Sequence, residues 1–136
     1  MAIGNLRIIK NKSLIDDLVK QKMKIDNYNF GSITVDGKTY NGDIIIFPNK
    51  IITNWQRKEG HSLSMNDLKE VVEYNPDILI VGTGAHGVLQ VLPNTKKALE
   101  KLTIKLIIMK TPDACKIFNE SLDKNLNVVG AFHLTC

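Results

Sequence analysis

The chain has 136 residues, is 43% hydrophobic and carries a formal net charge of +4. That length and apolar content suit one globular domain with a well-formed core, and no apolar run reaches the roughly 20 residues a membrane-spanning helix needs. Cys115 and Cys136 are too few for a disulfide framework and read as reduced thiols, so the expected address is the cytoplasm.

The opening "MAIGNLRIIKNK" shows neither a signal-peptide nor a mitochondrial transit pattern. Residues 1–24 form a basic segment: Arg7, Lys10, Lys12, Lys20, Lys22 and Lys24 face only Asp16 and Asp17, and the rest of the chain is charge-balanced. Ser13 to about Met23 reads as an amphipathic helix, capped by Ser13, with Leu14, Ile15, Leu18 and Val19 on one face. No aromatic residue interleaves with these lysines, so nucleic-acid binding is not expected.

From Asn29 the apolar period becomes two. "NFGSITV" and "KTYNGDIIIF" flank Asp36-Gly37, a dipeptide suited to a tight hairpin. A turn at Pro48–Lys50 leads to "IITNW", which predicts an antiparallel meander. A loop then feeds a helix from about Met65 to Tyr74, capped by Ser64 and stopped by Asn75-Pro76. The second half alternates "DILIV", a helix from Pro93, "TIKLIIM", a helix capped by Thr111 and "NVVGAFHL". Such alternation predicts a largely parallel sheet with helices on its faces.

Between strand and helix lies "GTGAHG", with Gly82, Gly84 and Gly87 at the GxGxxG spacing. A dinucleotide site requires those glycines to open a helix, so that free amides point at the pyrophosphate. Here "VLQVLP" follows, which favours extended chain until Pro93 starts a separate helix. The run is therefore expected to be a bend at the carboxyl end of a buried strand, where α/β sheets tend to bind ligands. Thr111, at the end of the neighbouring strand, is expected to face the same crevice with the free amides of a helix N-terminus.

Two clusters remain. Trp55, Arg57, Lys58 and His61 share one predicted loop, which reads either as an anion clamp or as a core-closing tryptophan with Arg57 and Lys58 facing water. His133 and Cys136 supply two donors, short of the four, or three plus water, that a metal needs, so no metal and no cofactor are expected. On an extended strand the two would point to opposite faces and meet only if the chain bends. Cys115 reads either as a thiol acidified by a helix N-terminus or as a small buried apolar residue.

The series "YNFGSITVDGKTYNGDIII", "NWQRKEGH", "ILIVGTGAHG", "TPDAC" with "IFN", and "AFHLTC" resembles a family of small α/β domains of unknown biochemical function. Its animal members include a mitochondrial respiratory complex I assembly factor and an adipogenesis-associated cytoplasmic protein. The resemblance spans Ile25 to Cys136, making 25–136 the single α/β domain. It implies a three-layer fold with a mixed central sheet flanked by helices and an N-terminal antiparallel β-meander, with no established catalytic residues. Family positions fall on Phe30, Gly31, Tyr40, Trp55, Gly60-His61, Gly82-Thr83-Gly84, Thr111, Ala114, Asn119 and His133 to Cys136. Phe118 stands where the family often has tyrosine.

The first reading is a non-catalytic cytoplasmic domain acting through contacts with a protein partner, as in complex assembly. The second is a small-anion or small-molecule binding domain, possible catalysis included, with a crevice at the carboxyl ends of the parallel strands. Its candidate residues are Gly82, Thr83, Gly84, Thr111, Trp55, Arg57, His61 and His133.

Overall fold

Apolar residues at successive positions of the central strands point alternately to two cores. The computed structural model describes residues 23–136. Three strands come first: β1 (Ile25–Asn29), β2 (Ser32–Val35) and β3 (Lys38–Tyr40). Next come β4 (Ile44–Ile46), β5 (Ile51–Ile52) and β6 (Ser62–Leu63), then a 3₁₀ turn (Met65–Leu68) running into α1 (Lys69–Tyr74). The second half holds β7 (Ile78–Thr83), β8 (Gln90–Val91), α2 (Pro93–Lys101), β9 (Lys105–Met109), α3 (Thr111–Asp123) and β10 (Val128–His133).

The main sheet has the order β5-β4-β10-β7-β9. Strands β10, β7 and β9 are parallel, while β4 and β5 are antiparallel additions, so the sheet is mixed. Ile44, Ile46, Ile80, Val128 and Phe132 face a core shared with Ala114, Phe118 and Leu122 of α3 and with Ile25, Ile33 and Val35 of the meander. Ile45, Phe47, Leu79, Val81, Val129 and Ala131 face a core shared with Leu68, Val71 of α1 and Leu99 of α2. Burying each such aliphatic side chain contributes about 1.5–3 kcal/mol. The expected three-layer α/β fold with a mixed sheet and a leading meander is the observed one.

Local expectations met varied outcomes. The Asp36-Gly37 turn has φ of 49° and 75°, the doubly positive geometry of a tight hairpin. "NFGSITV" is not one strand: Gly31, at φ 79°, turns the chain between β1 and β2. Only β1–β3 form a separate sheet, whereas β4 and β5 join the main one. "TIKLIIM" is not buried on both faces, because β9 lies at the edge of the described sheet and its residues are all exposed or half-buried. Thr111 is the first helical residue, not the cap, a position taken by Lys110. The helix expected from Ser13 to about Met23, and the basic segment as far as residue 22, lie outside the described residues.

Candidate functional site

The segment His133-Leu134-Thr135-Cys136 leaves β10 and is clamped from both sides. On the meander side, the Tyr28 hydroxyl and the Gly31 amide both donate to the Leu134 carbonyl, at 2.7 and 2.8 Å. On the other side, the Ala85 amide donates to Thr135 O, and the His86 and Val88 amides donate to Cys136 O. The strand ends at His133, and Cys136 Sγ lies within 4.8 Å of a His133 ring nitrogen, so the two side chains meet rather than point to opposite faces.

Beneath this segment sits Asp43, one residue ahead of β4. Its Oδ1 accepts the Leu134 amide at 2.8 Å, and its Oδ2 accepts from His133 Nδ1 at 2.7 Å and Arg57 Nη2 at 2.9 Å. A carboxylate at that distance requires the proton on Nδ1. Arg57 Nη2 and His133 Nδ1, 3.2 Å apart, are therefore two donors sharing one oxygen, not donor and acceptor. Burial pushes the Asp43 carboxyl up. The hydrogen bonds from His133, Leu134 and Arg57, with the His133 charge, outweigh burial and hold it below its ordinary value.

Arg57 does not face water. Its side chain is only 5% exposed, stacked 4.7 Å over the Trp55 ring, and its Nε donates to Gly60 O at 3.0 Å. Trp55 does close one end of the core, as one reading held, and its indole N–H donates to Asp67 O. Arg57 is thus the bolt that fastens the 54–61 loop to β10. Its Nη1 has no partner, and Arg57, Asp43, Gly42, Asn54 and Gln56 line a pocket of about 290 Å³.

With Nδ1–H given to Asp43, the neutral form of His133 has its lone pair on Nε2, which lies a long 3.4 Å from Thr135 Oγ1. His61 lies across from it, ring centroids 5.7 Å apart and edge-on. Backbone pairing fixes this loop, since the Gln90 amide donates to His61 O beside the β6–β8 ladder. Cys136 Sγ is 3.9 Å from His61 Nε2. One nitrogen from each imidazole and the Cys136 sulfur all lie within 4.8 Å of one another. Two of the residues expected to bind ligand, His61 and His133, therefore converge, joined by Cys136 and backed by Arg57.

Gly82, Thr83, Gly84 and Thr111 do not open a crevice. β7 and β9 are adjacent and parallel as expected, but their ends are sealed against each other. The Thr111 hydroxyl, fully buried, accepts from the Gly84 amide at 2.8 Å and donates to His133 O at 2.6 Å. The Thr111 amide, expected to be free for an anion, donates to Gly84 O. Thr83 Oγ1 donates to Met109 O at 3.1 Å. Gly82 is not at a bend: it lies inside β7, where a Cβ would approach Thr111 Oγ1 to 2.8 Å. The bend is at Gly84, with φ of 103°, where a Cβ would overlap the Cys136 backbone. No helix opens after the glycines. The chain runs non-helically to β8, and α2 begins at Pro93.

Cys115 is buried in α3, and desolvation pushes its thiol up to about 12, so the apolar reading is the correct one and the acidified thiol is not. Phe118 meets Phe132 edge-on at 5.5 Å, over Gly130, where any Cβ would collide with both rings. Asn119 clamps the start of β1, accepting from Ile25 N and donating to Ile25 O. Sequence reasoning missed Asp43. The available signal was a lone carboxylate in "NGDIIIF", directly before a fully buried strand.

A layered α/β domain with this clamp defines a class, and comparison with known proteins supplies the family. Residues 25–133 match the family model described as protein of unknown function (DUF498/DUF598), and the chain belongs to that family. A conserved hypothetical protein from Pyrococcus horikoshii is 31% identical, with TM-score 0.72 over 84% of this chain and all of that one. A structure described as an outer membrane protein from Bartonella henselae is 23% identical, with TM-score 0.74 over 86% of this chain and 98% of that one. A Bordetella pertussis protein described as an Mth938-like domain is 17% identical, with TM-score 0.64 over 84% of this chain and 87% of that one. Those last two likenesses concern the fold. No helix among the described residues is long and apolar enough to cross a membrane.

Proposed function

We propose that this is a non-catalytic binding domain of the cytoplasm, whose working site is the corner built from Asp43, Arg57, His61, His133 and Cys136. The observation that carries the reading is the convergence of two imidazoles and a thiol within 4.8 Å, held from behind by the half-buried Asp43 carboxylate and the Arg57 guanidinium. A buried donor without a partner costs free energy, and Arg57 Nη1 beside this corner is such a donor, one that a bound anion would satisfy. The ligand class is a small anion, received by the imidazoles and by the pocket beside Arg57. Inorganic phosphate titrated into the ¹⁵N-labelled protein tests it: saturable shifts confined to residues 54–61 and 133–136 are expected. Shifts scattered over the surface lysines, or none, would contradict it.

A second reading, contact with a protein partner in the assembly of a larger complex, is favoured by one apolar rim. Phe30 is 61% exposed and its ring lies 6.3 Å from that of His86, while Val88 is 40% exposed on the loop that holds Cys136. This reading agrees with the resemblance to a family that includes a complex I assembly factor. Its test is recovery of one protein from native cells by the wild type and its loss with Phe30→Ser and Val88→Ser. Equal recovery by a folded double variant would dismiss this surface.

A further inference from the structure

The geometry points to a transition-metal site at the same corner, with His61, His133 and Cys136 as ligands and zinc as the ion. This deepens the binding reading of that corner, since a three-ligand metal leaves one position open for water or a small anion. The two expectations have separate tests.

Three features carry the inference. The donor set comes first: two imidazoles and one thiolate suit zinc and its first-row neighbours, whereas calcium and magnesium require oxygen. Separation comes second. Around a tetrahedral ion with bonds of 2.0–2.3 Å, neighbouring ligand atoms are about 3.6 Å apart. The His61 Nε2 to Cys136 Sγ distance of 3.9 Å is nearly that, and the widest separation, 4.8 Å, closes with a shift of roughly 1 Å. His61 has an exposed side chain and can supply that shift by rotamer change alone. Orientation is third. Zinc-ligating histidines commonly donate their far N–H to a carboxylate, which fixes the tautomer and raises the basicity of the ligating nitrogen. His133 has its Nδ1 on Asp43 already, which leaves Nε2 as the ligating nitrogen, and one ring nitrogen of His133 lies within 4.8 Å of Cys136 Sγ and of a His61 ring nitrogen.

Asp43 is then a positioning residue, itself held by Arg57 and the Leu134 amide. Sequence counting gave two donors, His133 and Cys136, and left His61 and His86 to be recruited by the fold; the β6–β8 ladder brings His61. Binding requires the thiolate, so Cys136 releases its proton to solvent as the metal–sulfur bond forms.

The test is titration of the full chain with Co²⁺ alone, kept reduced without a chelating thiol, following the thiolate-to-cobalt charge-transfer absorption. One equivalent is expected to saturate the band, and Zn²⁺ to displace it. Cys136→Ser is expected to abolish the band, and Cys115→Ser to leave it intact. His61→Ala, an exposed substitution that should not disturb folding, is expected to weaken binding by about tenfold or more. Absence of the band at millimolar Co²⁺ overturns the inference, as does a band that survives Cys136→Ser or an affinity indifferent to His61→Ala. Phosphate shifts at the corner of metal-free protein, without a cobalt band, would sink the metal and leave the anion reading standing.

Discussion

Two ends of the same sheet edge, a few residues apart, have opposite characters. At the carboxyl ends of β7 and β9, the Gly82–Gly84 and Thr111 half is closed: every hydroxyl and amide described there has an internal partner, and glycine is needed because backbones touch. At the carboxyl end of β10, exposed His61 and half-buried Cys136 meet buried His133 and Arg57 over the half-buried Asp43 carboxylate. The glycine half is thus the frame that holds the 133–136 segment, and the histidine half is what the frame presents. A conspicuous motif marked the support, and an unremarkable aspartate marked the site.

Substitutions should separate the two halves. The largest effect is expected from Gly84→Val, which places a branched side chain at φ 103° and into the Cys136 backbone; about 3 kcal/mol or more of stability should be lost in urea unfolding. Asp43→Asn comes next, at roughly 2–4 kcal/mol near neutral pH, because Arg57 and His133 lose their shared acceptor charge. This effect has a pH signature. The folded Asp43 carboxyl lies below its ordinary 3.8, so its stabilisation is fully present above that value and is lost as pH falls through the folded value. The gap between wild type and Asp43→Asn should therefore narrow as pH falls below 3.8 towards the folded value; a constant gap down to strong acid would contradict the assignment.

Thr111→Val is expected to cost about 2 kcal/mol, since it orphans the buried Gly84 N–H and His133 C=O while leaving the shape unchanged. If the β7–β9 half were a ligand crevice, the same variant would abolish binding with little loss of stability. The smallest effect belongs to His61→Ala, within about 0.5 kcal/mol, because the side chain is exposed. A large loss there would mean that His61 supports the fold and is not presented for binding.

The fold was legible in the chain where periodicity and turn chemistry agree. Asp36-Gly37, the buried "DILIV" run and Pro93 all did in space what their local physics requires. "TIKLIIM" misled because composition does not reveal strand order, and an edge strand can be as aliphatic as a central one. The site was half legible. Arg57, His61 and His133 stood out by residue type, but their meeting depends on the β6–β8 ladder and on the course of the chain after His133. Both are non-local and leave no mark on spacing. Asp43 was invisible for the same reason, since its partners lie 14 and 90 positions away. Gly82 to Gly84 was conspicuous for steric reasons, and steric need was mistaken for a binding edge.

The account turns on the tautomer of His133. Long-range ¹⁵N–¹H correlation of the histidine rings, recorded at about pH 8 where free imidazole is neutral, reads it directly. The proton is expected on Nδ1, in slow exchange because Asp43 holds it, with Nε2 bare. A proton on Nε2 would mean that Asp43 does not orient the ring, and His133 would then have no Nε2 lone pair to give a ligand.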